Sequence, residues 1–501
     1  MRLILIAAAA AVSLFAELKL PAIVSDHMLL QRGVPVRIFG FASPGESVTV
    51  KFQDQTVTDN AGPQGQWHVW LKPMEAGVNG DMTIAASNTI TVRDVLVGEV
   101  WVGSGQSNMQ WAMRQVNNAE QEMSSANYPN IRLFRVPLKT SDAPQMDVEA
   151  KWEVCTPDSV KGFSAVLYFF GRGLHKQMNV PFGLIQTAYG GTPVQAWTSR
   201  EALHSDPALF PMIAEWNRAV SEFPEASAKY HAAMKEYDIA KRDGKSDARR
   251  PVAPRGPGHA HQPSGLYNAM VHPLVPYTIK GAIWYQGESN ASRVEAPIYR
   301  RAFETMIQDW RTRWGIGEFP FFWVQLANFE KAGSPKDWVL VQEEQTKTLE
   351  LRNTAQAVIN DIGEPGDIHP KNKQDVGARL ALAARHIAYR ETQVVYSGPR
   401  FKMATREAAT TGDRGIKMRV WFDSVGGGLK ARSGALKGFE VAGPDKQFHA
   451  AEARIDGQTI VVSSPDVAEP VAVRYAWAAN PDANLVNAEG LPASCFRSVS
   501  W

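Results

Sequence analysis

Ser107 follows an apolar run directly, within the segment GSGQSNMQW, where consecutive polar side chains contribute little to packing. Three more apolar runs end in polar or glycine-rich segments of the same kind. Their candidate residues are Gly190 in TAYGGTPVQAW, Gln286 and Glu288 in WYQGESNAS, and Asp367 and His369 in DIGEPGDIHPKNKQ. A serine hydroxyl becomes an effective nucleophile when a base accepts its proton and an acid orients that base. The four segments together therefore predict a site for acyl transfer.

His369 is the predicted base, and Asp367 and Glu288 are the two candidates for the acid that orients it. Each of these residues also has a purely structural interpretation. Serine is a common helix N-cap, a histidine before proline fits a helix start, and a buried glutamate can hold a loop. The serine segment also differs from the G-x-S-x-G motif of many hydrolases, because Met109 takes the place of the second glycine.

The developing negative oxygen of an acyl transfer needs hydrogen-bond donors that are already in place. The backbone amides of Ser107 and Gly190 are two candidate donors, and the side-chain amide of Gln286 is a third. Glycine suits this role because the absence of a side chain lets the backbone approach the reacting carbonyl. No residue in these segments requires a metal or a cofactor for this chemistry.

The elements that must position these residues are strands alternating with helices over residues 96–199 and 265–400. Short apolar runs such as IRLFRV and FPFFWVQLA alternate with segments that carry apolar residues at three- and four-residue spacing. This alternation predicts an α/β catalytic domain with a parallel sheet between two layers of helices. Ligands bind beyond the carboxyl ends of the strands in such sheets, which is where the candidate residues fall.

Two β-rich segments flank this domain, at residues 17–95 and 401–501, where short strands with period-two alternation are separated by Gly, Pro, Asp and Asn. Residues 200–264 interrupt the alternation with two helical stretches and a loop rich in Pro, Gly and Arg. This insertion is interpreted either as a lid at the mouth of the sheet or as a peripheral excursion. His259 and His261 within it have the spacing of a metal pair, but no carboxylate or cysteine completes a ligand set, so we expect no metal.

The length of 501 residues predicts about three domains, and the net charge of +2 excludes a protein dominated by nucleic-acid binding. Residues 1–16, MRLILIAAAAAVSLFA, have the pattern of a secretory signal peptide, which predicts a secreted or periplasmic protein. No later run is long and apolar enough to predict a membrane span. Cys155 and Cys495 are the only cysteines, and the sequence leaves open whether they form a disulfide.

Carbohydrate is the substrate class that the aromatic residues favour, because the 15 tryptophans offer flat faces for sugar rings. The residues predicted to bind substrate are Trp111, Tyr189, Trp197, Trp284 and Asn268. The four aromatic ones flank the catalytic segments, although they could equally belong to the core. Arg114 and Arg200 are the candidates for binding a substrate carboxylate, and both could equally be ordinary surface arginines.

The sequence resembles the bacterial sialate O-acetylesterase family, a branch of the SGNH hydrolases, along nearly its whole length. The segments that carry the resemblance are LPAIVSDHMLLQRGVPVRIFGFASPGE, DVLVGEVWVGSGQSNMQW, GLIQTAYGGTPVQAW, LYNAMVHPLVPYTIKGAIWYQGESNA, DIHPKNKQDVGARLALAA and GLPASCFRSVSW. The resemblance implies a flavodoxin-like α/β/α core with flanking β-sandwich-like domains. It also implies deacetylation of sugars, without a cofactor, by Ser107 as nucleophile and His369 as base, with Gly190 preferred to Gly191 as the oxyanion glycine.

Two positions depart from the pattern of the wider superfamily. Gln286 stands where that pattern has an asparagine, and Gly366 stands where it has an acid three residues before the histidine. Asp367 is therefore the favoured acid, with Glu288 as the second candidate or a fourth member of the site. Acetylated xylan or xyloglucan is slightly preferred as substrate, with a 9-O-acetylated sialic acid as the alternative. Two rival functions are an SGNH lipase or lysophospholipase and a non-catalytic carbohydrate-binding protein.

Overall fold

The computed structural model describes residues 17–244, 248–331, 337–408 and 416–501. The predicted signal peptide, residues 1–16, lies outside the described residues. No helix in the described part of the chain is both long and apolar enough to cross a membrane.

The chain begins with a group of mostly antiparallel strands. They are β1 (Leu29–Gln31), β2 (Val36–Phe41), β3 (Ser47–Phe52), β4 (Gln55–Asn60), β5 (Gln66–Leu71), β6 (Asn79–Ala85) and β7 (Thr89–Gly105). β2 pairs with β5, and β3 pairs with both β4 and β6. Along β5 the residues alternate strictly between exposed and buried, as the period-two pattern of the sequence predicts.

β7 belongs to two sheets. Its first half pairs antiparallel with β6, and its second half enters the central sheet of the protein. Residues 95–105 of this strand are all buried. The predicted boundary between residues 95 and 96 therefore lies inside one continuous strand, and the N-terminal strands share a single buried apolar cluster with the central sheet. The strand that ends just before Ser107 is thus anchored by two sheets.

The central sheet is completed by β8 (Tyr128–Arg135), β9 (Trp152–Cys155), β10 (Phe182–Ala188), β11 (Gly281–Tyr285), β12 (Phe321–Val324) and β13 (Thr354–Ala357). The strand order is β13-β12-β11-β7-β10-β8-β9, and every neighbouring pair is parallel except β8 with β9. Every residue of β10, β11, β12 and β13 is buried, which is typical of strands covered on both faces. The protein is therefore a mixed α/β structure with a central, mostly parallel sheet, as the alternating pattern predicts.

Helices cover both faces of this sheet. The α-helices of the described chain are α1 (Ser107–Gln110), α2 (Ala119–Ser124), α3 (Pro157–Val160), α4 (Ala165–Met178), α5 (Arg200–Ser205), α6 (Phe210–Arg242), α7 (Tyr299–Trp314), α8 (Trp338–Lys347) and α9 (Lys373–Ala383). On one face Trp101 of β7 packs edge-to-face against Phe170 of α4, and α4 packs against α9. On the other face Trp284 of β11 stacks on Phe303 of α7.

The insertion at residues 200–264 contains α5 and the long helix α6, in which Met212 is the only buried residue. Residues 248–264, beyond α6, contain no helix or strand, as their Pro- and Gly-rich sequence predicts. The exposure of α6 shows that this helix packs little of its surface against the rest of the described chain.

The C-terminal strands are β14 (Arg400–Glu407), β15 (Lys417–Asp423), β16 (Leu429–Ala431), β17 (Phe439–Ala442), β18 (Phe448–Ala450), β19 (Glu452–Asp456), β20 (Thr459–Ser463), β21 (Ala472–Tyr475), β22 (Leu485–Asn487) and β23 (Phe496–Arg497). They form antiparallel sheets around a second apolar cluster, separate from that of the central sheet. Cys495 lies in this cluster and Cys155 lies in β9, and both are buried free thiols, so the structure answers the question of the disulfide that the sequence leaves open.

Candidate active site

Ser107 is held at the carboxyl end of β7 by a turn that only glycine accommodates. Gly105 has a φ of +135°, and a Cβ atom at this position would lie 2.2 Å from the carbonyl oxygen of Tyr285. Gln106 then adopts an extended conformation and caps α1, whose first residue is Ser107. The serine is thereby turned out of the sheet and is partly exposed, while its neighbours Gln106 and Asn108 are buried.

His369 meets Ser107 across the top of the sheet. Its Nε2 atom lies 2.9 Å from the Ser107 Oγ, although the two residues are 262 positions apart in sequence. The loop between β13 and α9 carries His369, and the indole of Trp111 stacks on the imidazole with ring centroids 4.6 Å apart and an interplanar angle of 16°. Hydrogen bonding on one edge and stacking on one face fix the ring beside the hydroxyl.

Asp367 lies on the other side of the His369 ring. Its Oδ1 atom is 3.9 Å from Nδ1, and the same oxygen accepts a hydrogen bond of 2.9 Å from the backbone N–H of His369. The carboxylate is about half exposed. The pKa of His369 is lowered, first by burial of the ring and then by the positive charge of Lys373, while Asp367 acts in the opposite direction.

Glu288, the second candidate for the acid, does not contact His369. Its Oε1 atom accepts a hydrogen bond of 2.6 Å from Asn108 Nδ2, and its Oε2 atom has no partner among the described residues. Burial raises the pKa of Glu288, against the lowering effects of the Asn108 hydrogen bond and of Lys373. The structure therefore places Asp367 beside the imidazole. It places Glu288 against Asn108, the residue that follows Ser107.

The candidate oxyanion donors differ in their surroundings. The first amides of a helix have no acceptor within that helix, so the N–H of Ser107 starts without an intrahelical partner. A Cβ atom on Gly190 would lie 3.3 Å from the Ser107 Cβ, and the Gly190 N–H donates to Gln110 Oε1 at 2.8 Å. Gln286, by contrast, is fully buried, and its side-chain amide donates to Thr192 O and to the buried Asn290. The structure does not bring the Gln286 amide to Ser107.

A pocket of about 560 Å³ opens beside Ser107 and His369. Its other lining residues are Gln110, Trp111, Ala112, Arg114, Gln115, Arg135, Val136, Pro137, Leu138, Glu149, Gly162 and Gln186. Arg114 and Arg135 converge on Gly162, because a Cβ atom at that glycine would lie 2.9 Å from Arg135 Nη1 and 3.7 Å from Arg114 Nη1. Neither arginine forms an ion pair with a carboxylate of the described chain. The pocket thus places two guanidinium groups beside the candidate nucleophile and the candidate base.

The family model for carbohydrate esterases described as sialic acid-specific acetylesterases matches residues 97–236 and 258–386, which is more than half of the chain. The chain belongs to this family. Curated relatives agree: sialate O-acetylesterase from mouse is 34% identical over 427 residues, covering 75% of this chain and 74% of its own length. The human sialate O-acetylesterase is 32% identical over 413 residues, covering 75% of this chain and 72% of its own length. The predicted family membership is confirmed.

A solved structure of a carbohydrate acetylesterase from Xanthomonas citri has 39% sequence identity and a TM-score of 0.82, and the match covers 97% of this chain and 100% of that one. The protein is accordingly a carboxylic-ester hydrolase of the carbohydrate O-acetylesterase class. This result confirms the prediction of an enzyme and sets aside the alternative of a non-catalytic binding protein.

The structure of this acetylesterase places only part of the predicted aromatic surround at the pocket. Trp111 lines it, but Trp197 and Trp284 are fully buried and meet edge-to-face in the core, so neither ring is free to stack on a sugar. Tyr189 is partly buried beside Gly190 and is not among the lining residues. Asn268 is buried, and its side-chain N–H donates to Ser141 O at 3.0 Å. Trp197 and Trp284 are therefore core residues, and Asn268 holds a loop through its hydrogen bond to Ser141.

The structure also places the arginine and histidine candidates of the sequence in different surroundings. Arg114 lines the pocket, whereas Arg200 is exposed at the start of α5 and does not. The pair His259 and His261 has no third His, Cys, Asp or Glu positioned for a metal within the described residues. Instead, the His261 ring lies 2.5 Å from the carbonyl oxygen of Gly191, next to the candidate oxyanion glycine. The insertion therefore contacts the loop that carries Gly190.

Arg135, Gln110, Asn108 and Lys373 are site residues of the acetylesterase that sequence reasoning missed. Arg135 could have been found from the sequence. It is the last residue of β8, and β8 lies next to β10 in the central sheet. A charged side chain at the carboxyl end of a strand near the switch point is a binding candidate by the same rule that finds Ser107. Asn108 and Lys373 gave no such signal, since their importance lies in contacts between distant segments.

Proposed function

We propose that this acetylesterase removes acetyl groups from sugars through an acyl-enzyme formed on Ser107. The observation that carries the proposal is the 2.9 Å contact between the Ser107 Oγ and the His369 Nε2. Ser107 attacks the acetyl carbonyl while His369 accepts its proton, and His369 then donates that proton to the leaving sugar oxygen. Water, deprotonated by His369, attacks the acyl-enzyme, and His369 returns the proton to the Ser107 Oγ as acetate leaves. No step of this mechanism is assigned to a metal or a cofactor.

The oxyanion in this proposal is stabilised by the backbone N–H groups of Ser107 and Gly190. Gln110 Oε1 accepts the Gly190 N–H in the structure, and Gln110 also lines the pocket. An acetyl oxygen reaches this amide once the Gln110 side chain has turned aside. Gln286 instead supports the loop from below, because its side-chain amide is used within the buried network. Asp367 is proposed as the acid that orients His369, given its place beside Nδ1.

An SGNH-type three-layer core is the finer fold that we propose for this chain. Three features support it: the nucleophile follows a central parallel strand, the histidine lies shortly before a helix that packs on the same sheet, and helices cover both faces. We also propose residues 96–199 and 265–400 as the catalytic domain, with β7 continuing across its N-terminal boundary. Secretion or export to the periplasm is proposed on the signal-peptide pattern of residues 1–16.

The pH dependence of the reaction follows from the state of His369. The imidazole must be neutral to accept the Ser107 proton, and its pKa lies below the usual value because of burial and the nearby Lys373. We therefore expect kcat/KM to be near its maximum at pH 7 and to fall only as the pH drops below the ordinary histidine range. A pH series of acetate release measures this limb. An acid limb centred above pH 7 would contradict the assignment.

The substrate that the pocket favours is an acetylated sugar with a carboxylate, as in an O-acetylated sialic acid. Arg114 and Arg135 line the pocket without carboxylate partners in the described chain, and two guanidinium groups bind a carboxylate through charge-assisted hydrogen bonds. The aromatic residues near the catalytic segments slightly favour xylan or xyloglucan when the sequence is considered alone. That preference loses its support, because Trp197 and Trp284 belong to the core.

Replacing both Arg114 and Arg135 with glutamine is expected to lower kcat/KM for 9-O-acetylated sialic acid by ~10²-fold, since hydrogen bonds to charged groups contribute ~1.5–3 kcal/mol. Acetate release is measured in parallel on acetylated xylan, which is neutral, and the ratio of the two substrates is the result. Arg200→Gln is the matched control, because this arginine is exposed and lies outside the pocket lining. A wild-type enzyme that favours xylan, with no change of ratio in the double variant, would reject the acidic substrate.

A further inference from the structure

Asn108 links the segment that carries Ser107 to the segment that carries His369. It follows Ser107 in α1 and is buried. Its Nδ2 atom donates to the carbonyl oxygen of Ile368 at 2.9 Å, and Ile368 immediately precedes His369. One side chain therefore joins the neighbour of the nucleophile to the neighbour of the base.

The orientation of the Asn108 amide is fixed by charged groups on both sides. Nδ2 also donates to Glu288 Oε1 at 2.6 Å, and Oδ1 accepts from Lys373 Nζ at 2.6 Å. Lysine can only donate and an ionised carboxylate can only accept, so a flipped amide would set oxygen against oxygen and N–H against ammonium. Because the neighbours on its two ends have opposite polarity, Asn108 has a single favourable orientation.

The three side chains form a buried chain of groups rather than a surface network. Lys373 and Glu288 are both buried, and the Lys373 ammonium lies over the ring of Tyr285 at 5.3 Å. Burying a charged group without a partner is costly, and the Asn108 amide forms a hydrogen bond with both Glu288 and Lys373. Burial lowers the pKa of Lys373 to about 7, against the raising effects of Glu288, Asp367 and Glu364.

We propose that Asn108 is a positioning residue for the esterase reaction, held in one orientation by Glu288 and Lys373, and that it keeps Ser107 and His369 in register. This inference rests on the proposed function. It assigns Glu288 a role as the acceptor that holds Asn108, in place of a role as the acid that orients His369. It also gives Lys373 a role, because its Nζ donates to Asn108 Oδ1 and its positive charge lowers the pKa of His369.

Measurements on an Asn108 variant can distinguish misplacement of Ser107 and His369 from a loss of folded protein. Asn108→Ala is expected to lower kcat on 4-nitrophenyl acetate by ~10²-fold with KM within ~3-fold, because a misplacement of about 1 Å costs this much and Asn108 does not line the pocket. A fluorophosphonate that reacts with the nucleophilic serine should label every molecule of this variant, but at a rate lower by ~10²-fold. A residue with only a structural role would instead give incomplete labelling and a normal rate per labelled site.

Asn487→Ala is the matched control. Asn487 is a fully buried asparagine of β22 that donates to Ser397 O at 3.0 Å and accepts from the backbone N–H of Leu491, so it also joins two segments. It lies in the C-terminal strands, away from Ser107 and His369. We expect this variant to unfold at a lower temperature than the wild type and to retain its turnover per labelled site.

Variants of Glu288 and Lys373, the two charged partners of Asn108, test the positioning role through activity and pH dependence. Glu288→Gln keeps an oxygen that can accept from Asn108 and is expected to retain activity within ~10-fold, whereas Glu288→Ala removes the acceptor and should approach Asn108→Ala. Lys373→Met removes the positive charge that lowers the His369 pKa, so the acid limb of kcat/KM should move to higher pH.

The inference is overturned if Asn108→Ala retains the wild-type kcat and labelling rate, or if Glu288→Gln loses as much activity as Glu288→Ala. Either result with an inactive Ser107→Ala variant rejects the positioning role alone. An active Ser107→Ala variant would instead reject the proposed function.

Discussion

Ser107→Ala is expected to lower the release of acetate by ~10⁴-fold or more, while the protein stays folded. The reason is that the hydroxyl forms the covalent bond to the acetyl group, and alanine leaves His369 with no proton to accept. The amides of Ser107 and Gly190 and the pocket remain, so some acceleration over water survives. The measurement is acetate release from 9-O-acetylated sialic acid, with the unfolding temperature recorded for both proteins.

Ser104→Ala is the control for this prediction, because Ser104 is a buried serine of β7, three residues before Ser107. Its hydroxyl has no hydrogen-bond partner among the described residues. Removing an unsatisfied buried hydroxyl costs little, so this variant should keep its activity and its stability. Substantial acetate release by Ser107→Ala, at a rate close to that of Ser104→Ala, would show that the nucleophile is another group.

The meeting of Ser107 and His369 could be predicted from sequence because of one geometric rule. Parallel strands present their carboxyl ends at the same edge of a sheet, so polar residues that follow several strands meet in space. Ser107 follows β7, Gly190 follows β10 and Glu288 follows β11. The rule brings residues to one edge but does not say which of them touch. The rule therefore leaves Asp367 and Glu288 as rival acids, and the structure adds that Asp367 lies 3.9 Å from the imidazole while Glu288 accepts from Asn108.

The prediction that Trp197 and Trp284 bind substrate was wrong for a reason that also follows from the sheet. Strands buried on both faces have no polar alternation, so the sequence does not tell which neighbouring rings are covered by helices. Trp284 and Trp197 are near catalytic segments in sequence, yet helix α7 and the core cover them. Trp111 differs because it follows α1, on the open side of the sheet. Proximity in sequence to a catalytic motif is thus a weak guide to exposure.

The sequence pattern also does not indicate that β7 is one continuous strand. The change from β-rich to alternating texture near residue 95 predicts a boundary between domains, but a strand can cross such a boundary without a break in its apolar pattern. The N-terminal strands consequently support the strand that presents Ser107. A domain that looks like an accessory in sequence is part of the scaffold of the site in structure.

Asp367→Asn is expected to lower kcat by ~10²- to 10³-fold, which is less than the effect of Ser107→Ala. Loss of the orienting carboxylate is known to be severe when it is buried and bonded to the histidine, at ~10⁴-fold. Asp367 is about half exposed and its oxygen lies 3.9 Å from Nδ1, so solvent screens part of its effect. Asparagine can still accept the backbone N–H of His369, which keeps the loop in place.

The pH profile distinguishes this role from a purely structural one. Asp367 raises the His369 pKa, so removing its charge should move the acid limb of kcat/KM to lower pH. Lys373→Met should move the same limb the other way, because Lys373 lowers that pKa. Opposite shifts of the acid limb in these two variants would identify His369 as the titrating base. If Asp367→Asn keeps both its kcat and its pH profile, the reaction proceeds with Ser107 and His369 alone.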